Sequence, residues 1–467
     1  MKKYDVIVIG AGSGGLNIAG FMNKAGFKVL LIDKEDRAIG GDCLNFGCVP
    51  SKALIHVARM VRDGRSAERF GLLSSGSIDL KKVMDYVRGK QEIIRVHENA
   101  DHFRKRGIEV ALGVATFTGP DTVVVSGVQY RGKKIVIATG SRPRKLLLPG
   151  IESVNVYDNE TIFTLESLPK RMVVIGAGPI GIEIGQAFAA LGTKVTVVGS
   201  TLLDKEDPEI VAPLRDALLA DGMELLLGFR PTAIKDGQKV VIANAVKETK
   251  EVSFDVLFSS IGRESNFDTL DLAAAGIKTD DRGRLIVDDY LRTTNRRVLV
   301  CGDAAGGHQF THAAELQASI IVNNFFAPFK KKLTTDSMAW VTYTSPEIAT
   351  FGLSEKELKK RSIRYEVLTQ DFTESDRAIV DEQTEGKLRL FISPKGRVLG
   401  GTMVAEQAGE IAQELMLAQA NGMTLQAFLK KIYPYPTAAR INRSVALSFM
   451  GRKLHGNNLR LLHLIFH

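Results

Sequence analysis

Apolar and polar residues in the first part of the chain follow one another in the order of a βαβ unit. An apolar run at 4–9 leads into a glycine-rich turn, a stretch with helical spacing covers 16–25, and a second apolar run covers 28–32. The same order returns between 172 and 198. Strands separated by helices in this way predict parallel sheets, so the sequence indicates an α/β fold with two doubly wound, Rossmann-like domains.

Both glycine-rich turns have the spacing of dinucleotide-binding loops. Their glycines are Gly10, Gly12, Gly14 and Gly15 in the first loop and Gly176, Gly178 and Gly181 in the second. Glycine permits a tight turn and a close approach of the backbone to a pyrophosphate, which then lies on the N-terminus of the following helix. Two such sites in one chain imply a flavin that exchanges electrons with a nicotinamide.

The acid that follows the first loop is missing after the second. Asp33 lies 23 residues after Gly10, where a carboxylate binds a ribose hydroxyl, whereas the same offset from Gly176 falls on Gly199. A ribose 2′-phosphate would meet no repulsion there. Donors to such a phosphate follow directly and are Ser200, Thr201 and Lys205. The sequence favours NADPH as the nicotinamide, and NADH stays open because no arginine clamp is evident.

Two of the three cysteines lie close together just after the first unit. Four residues separate Cys43 from Cys48, so the chain can loop and bring the sulfurs together. Pro50 suits the first turn of a helix beginning near Cys48, and a helix N-terminus stabilises a thiolate. The pair is predicted to be redox-active beside a flavin, with two unpaired core residues as the alternative. Cys301 is expected to be a buried, inert thiol.

Composition is that of a globular protein: 467 residues, 45% hydrophobic and 25% charged. No apolar run reaches the ~18 residues of a membrane span, and the run at 6–9 is too short for a signal peptide, so we expect a cytoplasmic protein. The net charge is +9, and no acid follows Glu414. This basic end predicts an anionic substrate, an anionic lipid or an acidic partner. No aromatic–basic motif supports binding of nucleic acid.

Further motifs occur in the order found in one enzyme family. They are Cys43…Cys48 with Lys52, Ala138-Thr139-Gly140, the second glycine loop with Glu183, Gly302-Asp303, and the run 341–347. From about residue 3 to residue 450 the chain resembles the FAD-dependent pyridine nucleotide–disulfide oxidoreductases, the group of dihydrolipoamide dehydrogenase, glutathione reductase and mercuric reductase. The resemblance implies FAD and NADPH or NADH as cofactors and a homodimer.

It also implies where the cofactor binds. Asp33 would hold the FAD ribose and Asp303 the ribityl chain. Other cofactor-binding positions are Lys34, Gly41, Ala138, Thr139, Gly140 and Gly302.

For the cysteines, the resemblance implies that Cys48 faces the flavin and Cys43 the substrate. Lys52, one helical turn beyond Cys48, would pair with Glu183 near the flavin. The alternative for Glu183 is an ordinary acid on a helix surface.

The C-terminal segment departs from the family. Disulfide-reducing members have His-Pro-Thr-x-x-Glu there, supplied by the other subunit, and the histidine is the acid–base for thiol exchange. This chain has Tyr435 and Arg440 in place of the His and the Glu. Tyrosine, with a pKa near ~10, is a poor base at neutral pH, and losing acid–base catalysis typically costs ~10²–10⁴ in rate. We expect inefficient turnover of lipoamide or glutathione disulfide.

Two further expectations follow from this departure. Arg440 would stabilise a Cys43 thiolate or bind an anionic substrate, or else point into solvent. Mercuric reductase has a C-terminal cysteine pair that this chain lacks, so we expect neither mercury handling nor a metal site.

Domains are predicted as follows: a discontinuous FAD-binding domain at 1–145 and 255–335, an inserted NAD(P)-binding domain at 150–254, an α+β dimerisation domain at 336–445, and a basic tail at 446–467. Within the first domain, 79–106 is predicted to be helical and 110–138 to form short strands. Arg460, His463 and His467 share one helical face of the tail, amid apolar residues. This predicts packing against the body or the partner, or attachment to an anionic membrane.

The sequence thus predicts an NAD(P)H-dependent flavin–disulfide oxidoreductase. Its small-molecule acceptor could be a quinone, a small disulfide, a metal ion or an oxidised protein thiol. One alternative is a true dihydrolipoamide dehydrogenase. Another, of a different class, is a redox sensor that uses flavin and disulfide without rapid turnover.

Overall fold

A computed structural model describes residues 1–72, 76–452 and 457–466. Its strands are β1 Lys2–Ile9, β2 Val29–Asp33, β3 Glu109–Leu112, β4 Ala115–Gly119, β5 Thr122–Val125, β6 Val128–Ile137, β7 Ser141–Pro143, β8 Val156–Tyr157, β9 Arg171–Ile175, β10 Lys194–Gly199, β11 Glu224–Leu227, β12 Phe229–Lys235, β13 Lys239–Asn244, β14 Thr249–Ser253, β15 Val256–Ser259, β16 Arg263–Ser265, β17 Val298–Val300, β18 Ala339–Thr342, β19 Glu347–Gly352, β20 Glu366–Asp371, β21 Lys387–Ile392 and β22 Val398–Ala405.

Its helices are α1 Ser13–Lys24, α2 Gly41–Asn45, α3 Cys48–Ser66, α4 Leu80–Arg95, α5 Ala100–Lys105, α6 Pro179–Leu191, α7 Pro208–Ala220, α8 Thr311–Phe326, α9 Glu355–Lys360, α10 Asp376–Val380, α11 Ala408–Ile411, α12 Gln413–Ala420, α13 Gln426–Lys430, α14 Arg440–Gly451 and α15 Asn457–Phe466.

The chain divides into two compact units. The first comprises Met1–Gly176, Ala187–Val198 and Phe229–Leu333, and the second comprises Ala177–Gln186, Gly199–Gly228 and Thr334–His467. The domain boundaries drawn from the sequence stay a prediction, because these units follow a different division.

A seven-stranded sheet in the order β3-β2-β1-β6-β5-β4, with β17 beside β6, organises the first unit. β1 runs parallel to β2 and β6, and β17 runs parallel to β6. Both faces of β1 and β2 are covered, since Ile7, Val8 and Leu31 are fully buried. Strands that are buried on both faces have continuous apolar sequences, as these two do. The sheet therefore aligns the carboxyl ends of β1, β6 and β17 at one edge, where ligands of parallel sheets bind.

A second parallel arrangement in this unit repeats the first. β9 lies between β10 and β15, and β8 lies beyond β15, all in parallel register. An antiparallel sheet of β12, β13 and β14 and a two-stranded ribbon of β7 and β16 complete the strands. The predicted α/β class with two doubly wound parts is confirmed.

The second unit contains the antiparallel sheet β18-β19-β22-β21-β20. Its core includes Phe351, Leu390, Leu415 and Val445, contributed by two strands and two helices. This is the predicted α+β part of the chain. Within the described residues, no helix is both long and apolar enough to cross a membrane.

The region predicted to be helical at 79–106 contains two helices, α4 and α5, because the Asn99 side chain caps a new helix by accepting from the His102 N–H. Cys43 lies in the short helix α2, which the sequence did not predict.

Candidate redox-active site

Cys43 and Cys48 are brought close by the short helix α2 and the turn that leads from it into α3. Cys43 is half-buried in α2, and the exposed Cys48 begins α3, as predicted. Between them the carbonyl of Asp42 accepts the N–H groups of Phe46 at 2.8 Å and Gly47 at 2.6 Å, which closes the turn. The two thiols are close enough to shift each other's pKa in opposite directions. Neither cysteine lies in the core and both are free thiols, so the redox-active pairing stays a prediction.

Proton sharing within this pair is asymmetric. The pKa of Cys48 is lowered to about 6 by a hydrogen bond from Cys43 first, and then by Thr311 and the charge of Lys52, while desolvation opposes all three. The same hydrogen bond, together with burial, raises the pKa of Cys43. At neutral pH the pair therefore holds a thiolate on Cys48 and a proton on Cys43, which is the arrangement of a reactive dithiol.

Close backbone contacts shape the first glycine loop. Gly10 has φ +105°, and a Cβ there would lie 2.2 Å from the carbonyl oxygen of Ala138. The loop also meets the cysteine segment, since a Cβ on Gly41 would lie 2.7 Å from the Cα of Gly12. Gly40 donates its N–H to the Ala11 carbonyl at 2.9 Å. The dinucleotide loop and the cysteine turn are thus one continuous structure.

Residues along this loop fit an FAD molecule. The Thr139 hydroxyl is buried with no hydrogen-bond partner among the described residues, so it has a donor to offer a bound group. Asp33 accepts the Ala11 N–H at 2.7 Å and the Lys34 N–H at 2.7 Å, which fixes its carboxylate beside the loop. When bound, FAD supplies two-electron transfer between a nicotinamide and a disulfide. Gly10, Asp33, Thr139 and Asp303 are the residues that would hold it.

Sequence reasoning missed Arg263, which joins the predicted cofactor carboxylate to the cysteine turn. Its Nε donates to the Ser141 hydroxyl at 2.7 Å, and one terminal nitrogen donates to Asp42 at 3.0 Å. The Ser141 hydroxyl in turn donates to Asp303 at 2.5 Å. One signal was present: Arg263 follows the carboxyl end of β15, where parallel sheets place ligand-binding residues.

The second loop repeats the first with one steric difference. Gly176 has φ +112°, and a Cβ there would lie 2.5 Å from the Ser260 carbonyl oxygen. At the position corresponding to Asp33, a Cβ on Gly199 would lie 2.8 Å from the Cβ of Ala177. Position 199 therefore lacks a carboxylate and also has no space for a side chain. Ser200 and Thr201 are exposed beyond it.

Glu183 lies inside the second unit and not on its surface. Its side chain is 6% exposed, and Oε1 accepts the backbone N–H of Tyr343 at 2.9 Å. The alternative of an ordinary surface acid is therefore wrong. The pairing of Glu183 with Lys52 stays a prediction.

The segment in place of the family's His–Glu pair forms its own contacts. Tyr435 is 67% exposed and donates its hydroxyl to Asp376 at 3.1 Å, which raises its pKa above the ordinary value. The guanidinium of Arg440 lies 5.3 Å from the centre of the Tyr435 ring and donates to the Tyr433 carbonyl at 3.3 Å. Arg440 therefore does not simply point into solvent, and Tyr435 is held as a donor and not as a base.

Cys301 is fully buried, as predicted. Burial raises the pKa of its thiol to about 12, and its sulfur contacts the Ala314 carbonyl oxygen at 3.4 Å. The sulfur also lies 2.6 Å from where a Cβ on Gly14 would be, so it fills the space beneath the glycine loop.

The tail forms α15, and its described apolar side chains are exposed. They are Leu459, Leu462, Leu464, Ile465 and Phe466. Arg460 and His463 lie on this helix, whereas His467 lies outside the described residues.

These features are those of a dinucleotide-dependent redox enzyme: two glycine loops, two neighbouring cysteines, and a second unit built on an antiparallel sheet. Residues 4–318 match the family described as pyridine nucleotide-disulphide oxidoreductase, and 338–444 match its dimerisation domain. The chain belongs to the pyridine nucleotide-disulphide oxidoreductases. Members of this family use FAD and NAD(P)H. The dimerisation domain supports the predicted homodimer.

Similar proteins carry several activities within this family. The chain is 30% identical to the mercuric reductase of Staphylococcus aureus over 96% of its length and 82% of that protein. It is 33% identical to the dihydrolipoyl dehydrogenase of Thermus scotoductus, covering 94% and 95% of the two chains. The solved HOCl-induced flavoprotein disulfide reductase RclA of Escherichia coli superposes with a TM-score of 0.84 at 25% identity, covering 95% and 99%.

Proposed function

We propose that Cys43 and Cys48 are the redox-active pair of an NAD(P)H-dependent flavoprotein reductase that acts on a small acceptor. The observation that carries this proposal is the turn closed by the Asp42 carbonyl, which joins Cys43 in α2 to Cys48 at the start of α3. The lowered pKa of Cys48 and the raised pKa of Cys43 support it. A thiolate is the reactive form of cysteine, and its neighbour is the group that completes a disulfide.

The overall reaction balances through this pair. Oxidation of the dithiol to the Cys43–Cys48 disulfide releases two electrons and two protons, which reduce a disulfide to two thiols or a quinone to a hydroquinone. NAD(P)H and one proton regenerate the dithiol with FAD as carrier. Lys52 favours the Cys48 thiolate by its charge and so holds the reduced pair ready.

The acceptor is proposed to be small and anionic, and neither lipoamide nor glutathione disulfide. Tyr435 donates to Asp376 and cannot take a proton from a thiol at neutral pH. Arg440 offers a fixed guanidinium to an anion. The similarity to dihydrolipoyl dehydrogenases makes that activity the alternative to be tested.

We further propose NADPH as the preferred nicotinamide. The steric closure at Gly199 leaves no room for a carboxylate that would bind a ribose 2′-hydroxyl and repel a phosphate. Ser200 and Thr201 follow as exposed donors.

A cytoplasmic location with reversible attachment to anionic membranes completes the proposal. The exposed apolar side chains of α15 and the basic Arg460 support it. Liposomes containing anionic lipid should retain the full chain and lose a chain shortened to residue 450. If the full chain does not bind, the attachment proposal is wrong.

The central experiment is anaerobic reduction of the flavin-loaded protein by NADPH and, separately, by NADH. A thiolate–flavin charge-transfer absorbance near ~530 nm is expected in the wild type. It should be lost in Cys48→Ser and kept in Cys301→Ser, the matched control. Flavin reduction with no such absorbance would remove the cysteines from the electron path. Turnover with an anionic and a neutral small disulfide, with quinones and with Cu(II), the ion in a solved complex of RclA, then tests whether the acceptor is an anion. Turnover with any of them excludes a sensor without turnover.

A further inference from the structure

Arg263 makes more directed contacts than a surface arginine needs. Its side chain is only 9% exposed. Besides the Ser141 hydroxyl it binds the Ser141 carbonyl at 2.9 Å, Asn159 at 3.2 Å and Asp42 at 3.0 Å. A planar guanidinium with fixed donors holds such partners in one geometry, which a lysine cannot do.

Asp42 is the partner through which Arg263 contacts the cysteine turn. It directly precedes Cys43, and its carbonyl closes the turn between the two cysteines. Asn159 also donates to the Asp42 carboxylate at 3.3 Å and to the Phe46 carbonyl at 3.5 Å. Arg263 and Asn159 therefore hold the cysteine turn from outside by its first residue.

The charge of Asp42 also acts on Cys48. Its negative charge opposes the thiolate, as desolvation does, whereas Lys52 and the hydrogen bonds of Cys43 and Thr311 favour it. Arg263 forms an ion pair with Asp42. Its positive charge therefore offsets the negative charge of Asp42, which would otherwise disfavour the Cys48 thiolate.

We propose that Arg263 is a positioning residue of the redox pair: through Asp42 it fixes the turn that holds Cys43 against Cys48, and through Ser141 it ties that turn to Asp303. The inference rests on the proposed function of the two cysteines. It assigns a role to a residue that lies 221 positions from Asp42 in the sequence.

Thiol alkylation of the flavin-loaded, reduced protein tests this role without nucleotide or acceptor. Iodoacetamide modification of Cys43 and Cys48 is followed by peptide mass mapping across a pH series. In Arg263→Gln the Cys48 rate at neutral pH should fall by at least about threefold and its pH profile should move to higher pH, because the Asp42 charge is no longer offset.

Three comparisons make the result specific. Arg142→Gln is the matched control, since Arg142 lies on the same ribbon but pairs with Glu264 at 2.8 Å and Asp268 at 2.5 Å. Its rates should equal those of the wild type. Arg263→Lys should recover part of the Cys48 rate through its charge. Asp42→Asn combined with Arg263→Gln should return the pH profile towards that of the wild type, because no uncompensated charge remains, but should not restore the full rate, because the turn is no longer held.

Either result is decisive. If Arg263→Gln folds and its Cys48 alkylation is unchanged, the inference is wrong. If Arg263→Gln does not fold, the inference is wrong when two other variants match the wild type: Arg263→Lys in the pH profile of Cys48 alkylation, and Asp42→Asn in its rate. A wild type lacking the charge-transfer absorbance would instead refute the proposed function, so the two failures are distinguishable.

Discussion

Thr311 places its hydroxyl 3.4 Å from the sulfur of Cys48, although 263 positions separate the two residues. Thr311 is the first residue of α8, and Cys48 is the first residue of α3. The thiolate therefore lies at the N-terminus of its own helix and beside that of a second one. Each N-terminus carries a partial positive charge that favours an anion. The Thr311 hydroxyl is also, after the hydrogen bond from Cys43, one of the groups that lower the pKa of Cys48 to about 6.

Replacing Thr311 with valine should weaken the thiolate. The hydroxyl lowers the pKa of Cys48, so its loss raises that pKa and reduces the ionised fraction at neutral pH. We expect Cys48 alkylation to slow about three- to tenfold. Thr116→Val, which removes a hydroxyl bound to the Thr269 carbonyl at 3.0 Å, is the control and should leave the rate unchanged.

Placing an aspartate at Gly199 should not by itself create an NADH enzyme. Its Cβ would lie 2.8 Å from the Ala177 Cβ, so the loop must shift, and the KM for both nucleotides should rise roughly tenfold. Adding Ala177→Gly removes the contact with that Cβ and leaves the residue's backbone nitrogen at 3.0 Å, so the double variant should favour NADH over NADPH. Steady-state kinetics of the single and double variants decide this, with Ala177→Gly alone as the control. A clean switch by Gly199→Asp alone would contradict the steric argument.

Gly14 and Cys301 should be energetically coupled. A Cβ at Gly14 would lie 2.6 Å from the Cys301 sulfur, so Gly14→Ala should lower the free energy of unfolding by about 1–3 kcal/mol. In a Cys301→Ala background the cost should be smaller, because the sulfur is gone. Urea unfolding of the four proteins in this cycle measures the coupling. Additive costs would show that the two positions do not meet.

Thiol titration should separate the three cysteines. After reduction, Cys43 and Cys48 should react with Ellman's reagent in the native protein. Cys301, fully buried with a pKa of about 12, should react only after denaturation. Native reaction of all three thiols would mean that the loop above Cys301 opens readily.

Restoring the family's acid–base pair should bring disulfide reduction back. The double variant Tyr435→His with Arg440→Glu should gain about 10- to 100-fold in turnover of a small disulfide, because the histidine can exchange protons with a thiol. Tyr435→Phe should leave turnover nearly unchanged, since its hydroxyl donates to Asp376 and does not act as a base. A large loss in Tyr435→Phe would give the tyrosine a role in proton transfer.

Local patterns predicted the features that depend on neighbouring residues. The glycine loops, the helix beginning at Cys48 and the strand β21 follow from spacing over a few positions. Contacts between distant segments did not follow. Arg263 reaches Asp42, and Thr311 reaches Cys48, only because the parallel sheet brings the carboxyl ends of its strands to one edge. The short helix around Cys43 also escaped prediction, since five residues give too weak a periodic signal.

The approach of Gly41 to Gly12 has a consequence for how this enzyme can diverge. A Cβ on Gly41 would lie 2.7 Å from the Gly12 Cα, so position 41 cannot accept a larger residue while the loop at Gly12 keeps its course. When segments are exchanged between related enzymes, residues 10–15 and 40–48 must therefore come from the same parent. A chimera that divides them should express as a protein deficient in flavin, whatever the origin of its remaining residues.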